Sequence, residues 1–250
     1  MLRIYLTGEP CLLAGRTLIR ADRLPRRQGR LAFALLMTER SRAVPRAELA
    51  DALWPDGPPP AHEVALSALA SKLRALLVEA GAHRDAIAVA DGCYRVELPA
   101  TTWIDTEAAI ASVHEAETAL RAGAHAAAYG PAAVAAAILR RPFLPGIEGE
   151  WVERRRDALR GLLVRVLDVL AEVHAANREP ALAVRIAEQA VALEPFRESG
   201  YRRLMRVHDG AGNRAEALRV YQRCRRLLAD ELGTRPSPET EALMRTVGSR

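Results

Sequence analysis

Two short apolar runs open the chain, residues 2–6 (Leu-Arg-Ile-Tyr-Leu) and 11–20, separated by Gly8-Glu9-Pro10 and broken by Gly15. That punctuation predicts a small antiparallel sheet. After Pro25 the period lengthens, and Leu31, Ala34, Leu35 and Thr38 fall on one face of a helix ending near Glu39. A second helix is predicted from about Pro45 to Trp54, with the proline in the first turn, where a missing N–H costs nothing. The run Trp54-Pro55-Asp56-Gly57-Pro58-Pro59-Pro60 cannot be helical and reads as a stiff loop. A third helix follows from about His62 to Ala80, its buried stripe made by Leu66, Leu69, Leu73, Leu76 and Leu77. Residues 86–98 read as a hairpin, strands Ala86–Ala90 and Tyr94–Leu98 around Asp91-Gly92-Cys93. Asp-Gly supplies the positive φ that such a turn needs.

From about Thr106 the pattern is helical almost throughout. Leu170-Ala-Glu-Val-His174 returns as Leu204-Met-Arg-Val-His208, and Asn177-Arg178 with Ala181, Leu182 and Val184 returns as Asn213-Arg214 with Ala217, Leu218 and Val220. The first offset is 34 residues and the second 36, with the two-residue slip expected in the Gly210-Ala-Gly212 turn. A repeat near 34 residues built of two helices is the TPR period; small residues such as Ala181 and Ala217 let paired helices approach. The expected fold is therefore mainly α with a small β component: an N-terminal winged helix-turn-helix over residues 1–100, then an all-α, TPR-like helical repeat domain over 101–250. In the first, strands, three helices and a hairpin follow in winged-helix order, so that helix 62–80 would enter the DNA major groove and the hairpin would be the wing. A small α+β domain with no nucleic-acid role fits the same element order.

Composition narrows the function. Half of the 250 residues are apolar, so the chain is globular. Lys72 is the sole lysine among 36 basic residues; the arginine bias is chain-wide and says little about any one site. A net charge of +5 permits a polyanionic partner without demanding one. Cys11, Cys93 and Cys224 are scattered and odd in number, which fits a reducing cytoplasm and neither a disulfide framework nor a zinc knuckle. Neither an export signal nor a membrane span is visible. No phosphate-binding glycine loop, dinucleotide fingerprint, zinc-spaced histidine pair or nucleophile elbow occurs, so no enzyme activity, metal or cofactor is expected. The first strand begins so close to Met1 that no acidic receiver domain is expected before it.

Several motifs in fixed order carry a resemblance: Ala50-Asp-Ala-Leu-Trp54, Ser71-Lys-Leu-Arg74, Gly92-Cys-Tyr-Arg95, Trp103-Ile-Asp105, Ala217-Leu218 with Tyr221, and Leu228-Ala-Asp-Glu-Leu-Gly233 before Pro236-Ser-Pro-Glu239. With these the chain resembles SARP-type bacterial transcriptional activators, in which an OmpR-type winged helix precedes a bacterial transcriptional activation domain. The resemblance implies binding to double-stranded DNA at promoter direct repeats, often as a side-by-side homodimer, and contact with RNA polymerase.

Duplex binding needs cations for phosphates and side chains that reach base edges. Arg42 and Arg46, taken to start the second helix, Arg95 on the wing, and Lys72 and Arg74 beside the third helix are the cationic candidates. Opposite the leucine stripe lie Val64, Ala68, Ser71 and Ala75, edged by Ser67 and Lys72. That face lacks any Arg, Asn or Gln for a bidentate base contact. Recognition is left to thymine methyls, serine hydroxyls and DNA shape; the rival reading is a protein-interaction module whose winged helix no longer reads DNA. Arg154-Arg155-Arg156 and the cluster Arg223, Arg225, Arg226 are read as solvated faces, and Phe143, Trp151, Phe196 and Tyr201 as packing residues.

Overall fold

The structure is a computed structural model that describes residues 1–249. It is mainly helical, with strands β1 (Leu2–Tyr5), β2 (Cys11–Ala14), β3 (Thr17–Ile19), β4 (Val44–Pro45), β5 (Ile87–Ala90), β6 (Cys93–Val96) and β7 (Trp103–Ile104). The helices are α1 (Arg26–Thr38), α2 (Arg46–Leu53), α3 (His62–Glu79), α4 (Asp105–Arg121), α5 (His125–Leu139), α6 (Glu150–Ala176), α7 (Pro180–Leu193), α8 (Glu198–Gly210), α9 (Arg214–Leu232) and α10 (Pro238–Ser249). They form two compact units: residues Met1–Ala109 with Ile138–Leu159, and Ile110–Ala137 with the chain from Arg160 onward. Among the described residues no helix is long and apolar enough to cross a membrane.

In the first unit one sheet has the order β3-β2-β1-β7, antiparallel except for the parallel pair β1–β7. A second sheet, β4-β6-β5, holds the predicted hairpin. Its turn is as the sequence required, with Asp91 at φ 52° and Gly92 at φ 72°. The 11–20 run is two strands, turned at Gly15, which has φ 58°.

Helix α1 departs from expectation. Seven consecutive residues, Leu31 to Met37, are buried. One apolar face gives way to burial all round, because α2, α3 and β6 all pack against this helix.

The link into α4 is fixed by a carboxylate. Asp105 is fully buried and accepts the backbone N–H groups of Leu6 (2.9 Å), Thr7 (3.0 Å) and Thr106 (2.8 Å), the Thr7 hydroxyl (2.7 Å) and an Arg141 N–H (3.2 Å). A buried charge persists only when its lone pairs are taken up in this way. Nearby, Arg156 donates to the carbonyls of Phe143, Leu144 and Ile147, and Arg155 is partly buried, so that run is not simply a solvated face.

In the second unit the repeat has one register. Helix α9 begins 34 residues after α7, and the buried residues Ala183, Ile186, Ala187 and Ala190 of α7 correspond to Ala217, Val220, Tyr221 and Cys224 of α9. Arg178 (φ 61°) and Gly212 (φ 77°) hold the same left-handed position 34 apart. Both turns close alike, with Glu179 N–H donating to the His174 carbonyl and Asn213 N–H to that of His208. The expected two-residue slip does not occur. Ala181 is exposed, and the buried small residue that corresponds to Ala217 is Ala183. Tyr201 is buried as expected, whereas Phe196 is 49% exposed.

Candidate nucleic-acid interface

Helix α3 is seated by Leu66, Ala70, Leu73, Leu76 and Leu77, all buried; Leu69 is only half-buried. Its opposite side is open. Val64 is 72% exposed, and Ser67, Ala68, Ser71, Lys72 and Ala75 are exposed with it. These residues share one face because they recur at spacings of three and four.

The cationic candidates divide into held and open side chains. Arg42 lies in the turn before α2 rather than on the helix, and its guanidinium pairs with Glu39 (2.8 Å) and bidentately with Glu48 (2.8 and 2.5 Å). Hydrogen bonds from its guanidinium to those carboxylates raise its pKa still further. Arg46 is the first residue of α2. Its N–H donates to the Gly92 carbonyl (3.0 Å), so this helix start is stitched to the hairpin turn instead of standing open to an anion. Its guanidinium donates to Glu63 (2.6 Å) and lies over the ring of Tyr94 (5.8 Å to the centroid). Tyr94 is fully buried; burial pushes its phenol pKa up, against the pull of the Arg46 charge. Arg74 turns away from the open face and donates Nε and Nη2 to the Ile87 carbonyl (2.8 and 2.6 Å), bracing α3 on β5.

Lys72 and Arg95 are exposed, and neither has an ion pair or side-chain hydrogen bond among the described residues. Arg95 stands on β6 opposite Ala88. Lys72 shares a shallow groove with Arg23, Arg26 and Arg30, which sequence reasoning did not single out. Their spacing of three and four residues was the signal, obscured by the chain-wide arginine bias. Glu63 and Tyr94, which hold Arg46, were missed as well.

Residues 104–247 match the family described as "Bacterial transcriptional activator domain". The chain is 30% identical over 220 residues to the regulatory protein AfsR of Streptomyces coelicolor, covering 88% of this chain and 22% of AfsR. It is 30% identical over 223 residues to the transcriptional regulatory protein EmbR of Mycobacterium tuberculosis, covering 86% of this chain and 55% of EmbR. A solved structure of M. tuberculosis EmbR in complex with a low-affinity phosphopeptide superposes with a TM-score of 0.88 at 26% identity, over 98% of this chain and 64% of that one. The chain thus spans only part of these relatives. It belongs to the bacterial transcriptional activator domain family, the family of the SARP-type regulators it resembles. That is a family of regulators rather than enzymes.

Proposed function

We propose that the chain activates transcription by binding double-stranded DNA, with residues 1–100 acting as a winged helix-turn-helix. Helix α3 lies in the major groove, and the β5–β6 ribbon is the wing. Val64, Ser67, Ala68 and Ser71 face the bases, and Lys72 and Arg95 neutralise phosphates. Arg46 joins them only by sharing its charge with Glu63, while Arg42 and Arg74 hold the surface in shape. Residues 101–250 serve oligomerisation and contact with RNA polymerase. The protein works in the cytoplasm at promoter direct repeats, as adjacent copies, without a cofactor.

The observation that carries this reading is the open side of α3, which bears Lys72, together with Arg95 exposed on β6; among the described residues no carboxylate pairs with either cation. Removing one cation from a phosphate should lower the slope of log affinity against log salt by about 0.9. The Lys72→Ala/Arg95→Ala double variant is therefore expected to bind promoter duplex more weakly, with a slope shallower by about 2. Arg74→Ala should alter stability and leave the slope alone. Equally feeble binding of the unaltered chain to every duplex, at every salt concentration, would overturn the proposal in favour of a protein-interaction module.

A further inference from the structure

We infer that α3 selects its site chiefly through the 5-methyl groups of thymine, and only secondarily through hydrogen bonds to base edges. This inference rests on the DNA-binding reading above. Hydrogen-bonded readout of guanine or adenine uses the forked groups of Arg, Asn or Gln, and the open face of α3 has none. Two charged groups elsewhere on the helix are already occupied. Glu63 is tied to Arg46, with its other oxygen 3.6 Å from His62 Nε2, and Arg74 has given two N–H groups to Ile87. Lys72 remains at one edge as a point charge without a fork. Ser67 and Ser71 offer hydroxyls that satisfy any base.

What projects most is hydrocarbon. Val64, in the first turn, is 72% exposed, and Ala68 stands one turn further along the same face. In the major groove the apolar feature that separates base pairs is the thymine C5-methyl group. Covering one methyl against another gives about a fourfold gain in affinity at the usual value for a buried CH₂. The unpaired charge of Lys72, one turn beyond Ala68 on the same helix, fits a polyanion as the occupant of this patch rather than an apolar peptide. A methyl reader has a further property: it accepts 5-methylcytosine in place of thymine, because the group it touches is the same.

The test uses the full chain and the duplex it enriches from random DNA. Thymines in that duplex are replaced singly by deoxyuridine, and at contacted positions binding should weaken about fourfold per methyl. Replacing the same T·A pair by 5-methylcytosine·G should keep most of the affinity, whereas plain C·G should not. The Val64→Ala/Ala68→Ser variant, altered only at exposed positions and checked for fold by circular dichroism, should bind less tightly and become indifferent to deoxyuridine. Tight, selective binding that ignores deoxyuridine overturns the inference and leaves the regulator reading standing. A deoxyuridine penalty undiminished in the variant also overturns it, since the weakening would then come from DNA shape. If no duplex is enriched at all, the DNA-binding reading falls and takes the inference with it.

Discussion

Helices α3 and α8 are both backed by a buried apolar stripe, yet their outer sides are built on opposite plans. On α8, Arg203 donates to Glu172 and pairs with Asp168 of α6, while Glu198 and Arg202 engage Ser237 and Thr240 at the start of α10. Arg197, just before α8, adds a bidentate bond to Asp168 (2.7 and 3.0 Å). Three charges on α8, Glu198, Arg202 and Arg203, are committed to neighbouring helices, while Arg206 is exposed. On α3 the open face carries serines, alanines, one valine and one lysine, and no internal bond engages Lys72 among the described residues. A surface helix ordinarily turns charged residues to water. A side with a single charge, and that charge not bonded inward, is what the proposed duplex contact requires, whereas the dressing of α8 serves its own fold.

If that contrast is right, α3 depends on its apolar stripe far more than α8 does. Leu73→Ala removes a side chain that is 1% exposed and leaves a cavity beneath the helix. The expected loss is about 2–5 kcal/mol in the first unit. Trp54, Trp103 and Trp151 all lie in that unit, so tryptophan fluorescence during urea unfolding follows it selectively. Ser71→Ala, on the other side of the same helix, should stay within about 0.5 kcal/mol of the unaltered chain. Equal losses for the two changes would show that the face is not open.

For α8 the corresponding cut is polar. Asp168 is largely buried, and Asp168→Ala strips Arg197 of its carboxylate and leaves Arg203 with Glu172 alone. A loss of about 1–3 kcal/mol is expected, the range for a buried group left without its charged hydrogen-bond partner. Tyrosine near-UV circular dichroism should register it, since Tyr201 lies on α8 and Tyr221 on α9. Tryptophan fluorescence should be unmoved. A matching shift in both signals would mean that the two units do not unfold separately.

The elements that were legible in the sequence are those whose signal is local. Helix α3 announces itself by leucines at helical spacing, and the hairpin by Asp91-Gly92, because both patterns depend on neighbours within a few residues. Strand β7 is two residues long and exists only because β1, about a hundred residues earlier, offers it a parallel edge. Asp105 belongs to the same junction: its acceptors are satisfied by Leu6 and Thr7, and no local pattern displays that. The site was half legible for the same reason. Periodicity identifies which side of α3 faces outward, but the positions of Arg42, Arg46 and Arg74 say nothing of the carboxylates and the carbonyl that claim them. Sequence counts charges; only the fold shows which are already taken.

The smallest effect concerns the two helix turns of the second unit, which share a backbone but not a residue. At the left-handed position Gly212 meets no steric penalty, whereas Arg178 holds φ 61° with a side chain attached. An L-residue there costs roughly 1–2 kcal/mol, part of which glycine returns as greater freedom in the unfolded chain. Arg178→Gly is therefore expected to stabilise the second unit by about 0.5–1 kcal/mol, seen as a higher unfolding midpoint in the tyrosine signal. Ala at the same position should give no such gain, because its β-carbon meets the same backbone clash. The register settles why position 178, and not 176, is the one to change. At an offset of 36 residues Gly212 would correspond to Ala176, which is still helical, and a glycine there should destabilise by roughly 1 kcal/mol instead. The opposite signs of the two substitutions separate a 34-residue repeat from a 36-residue one in solution.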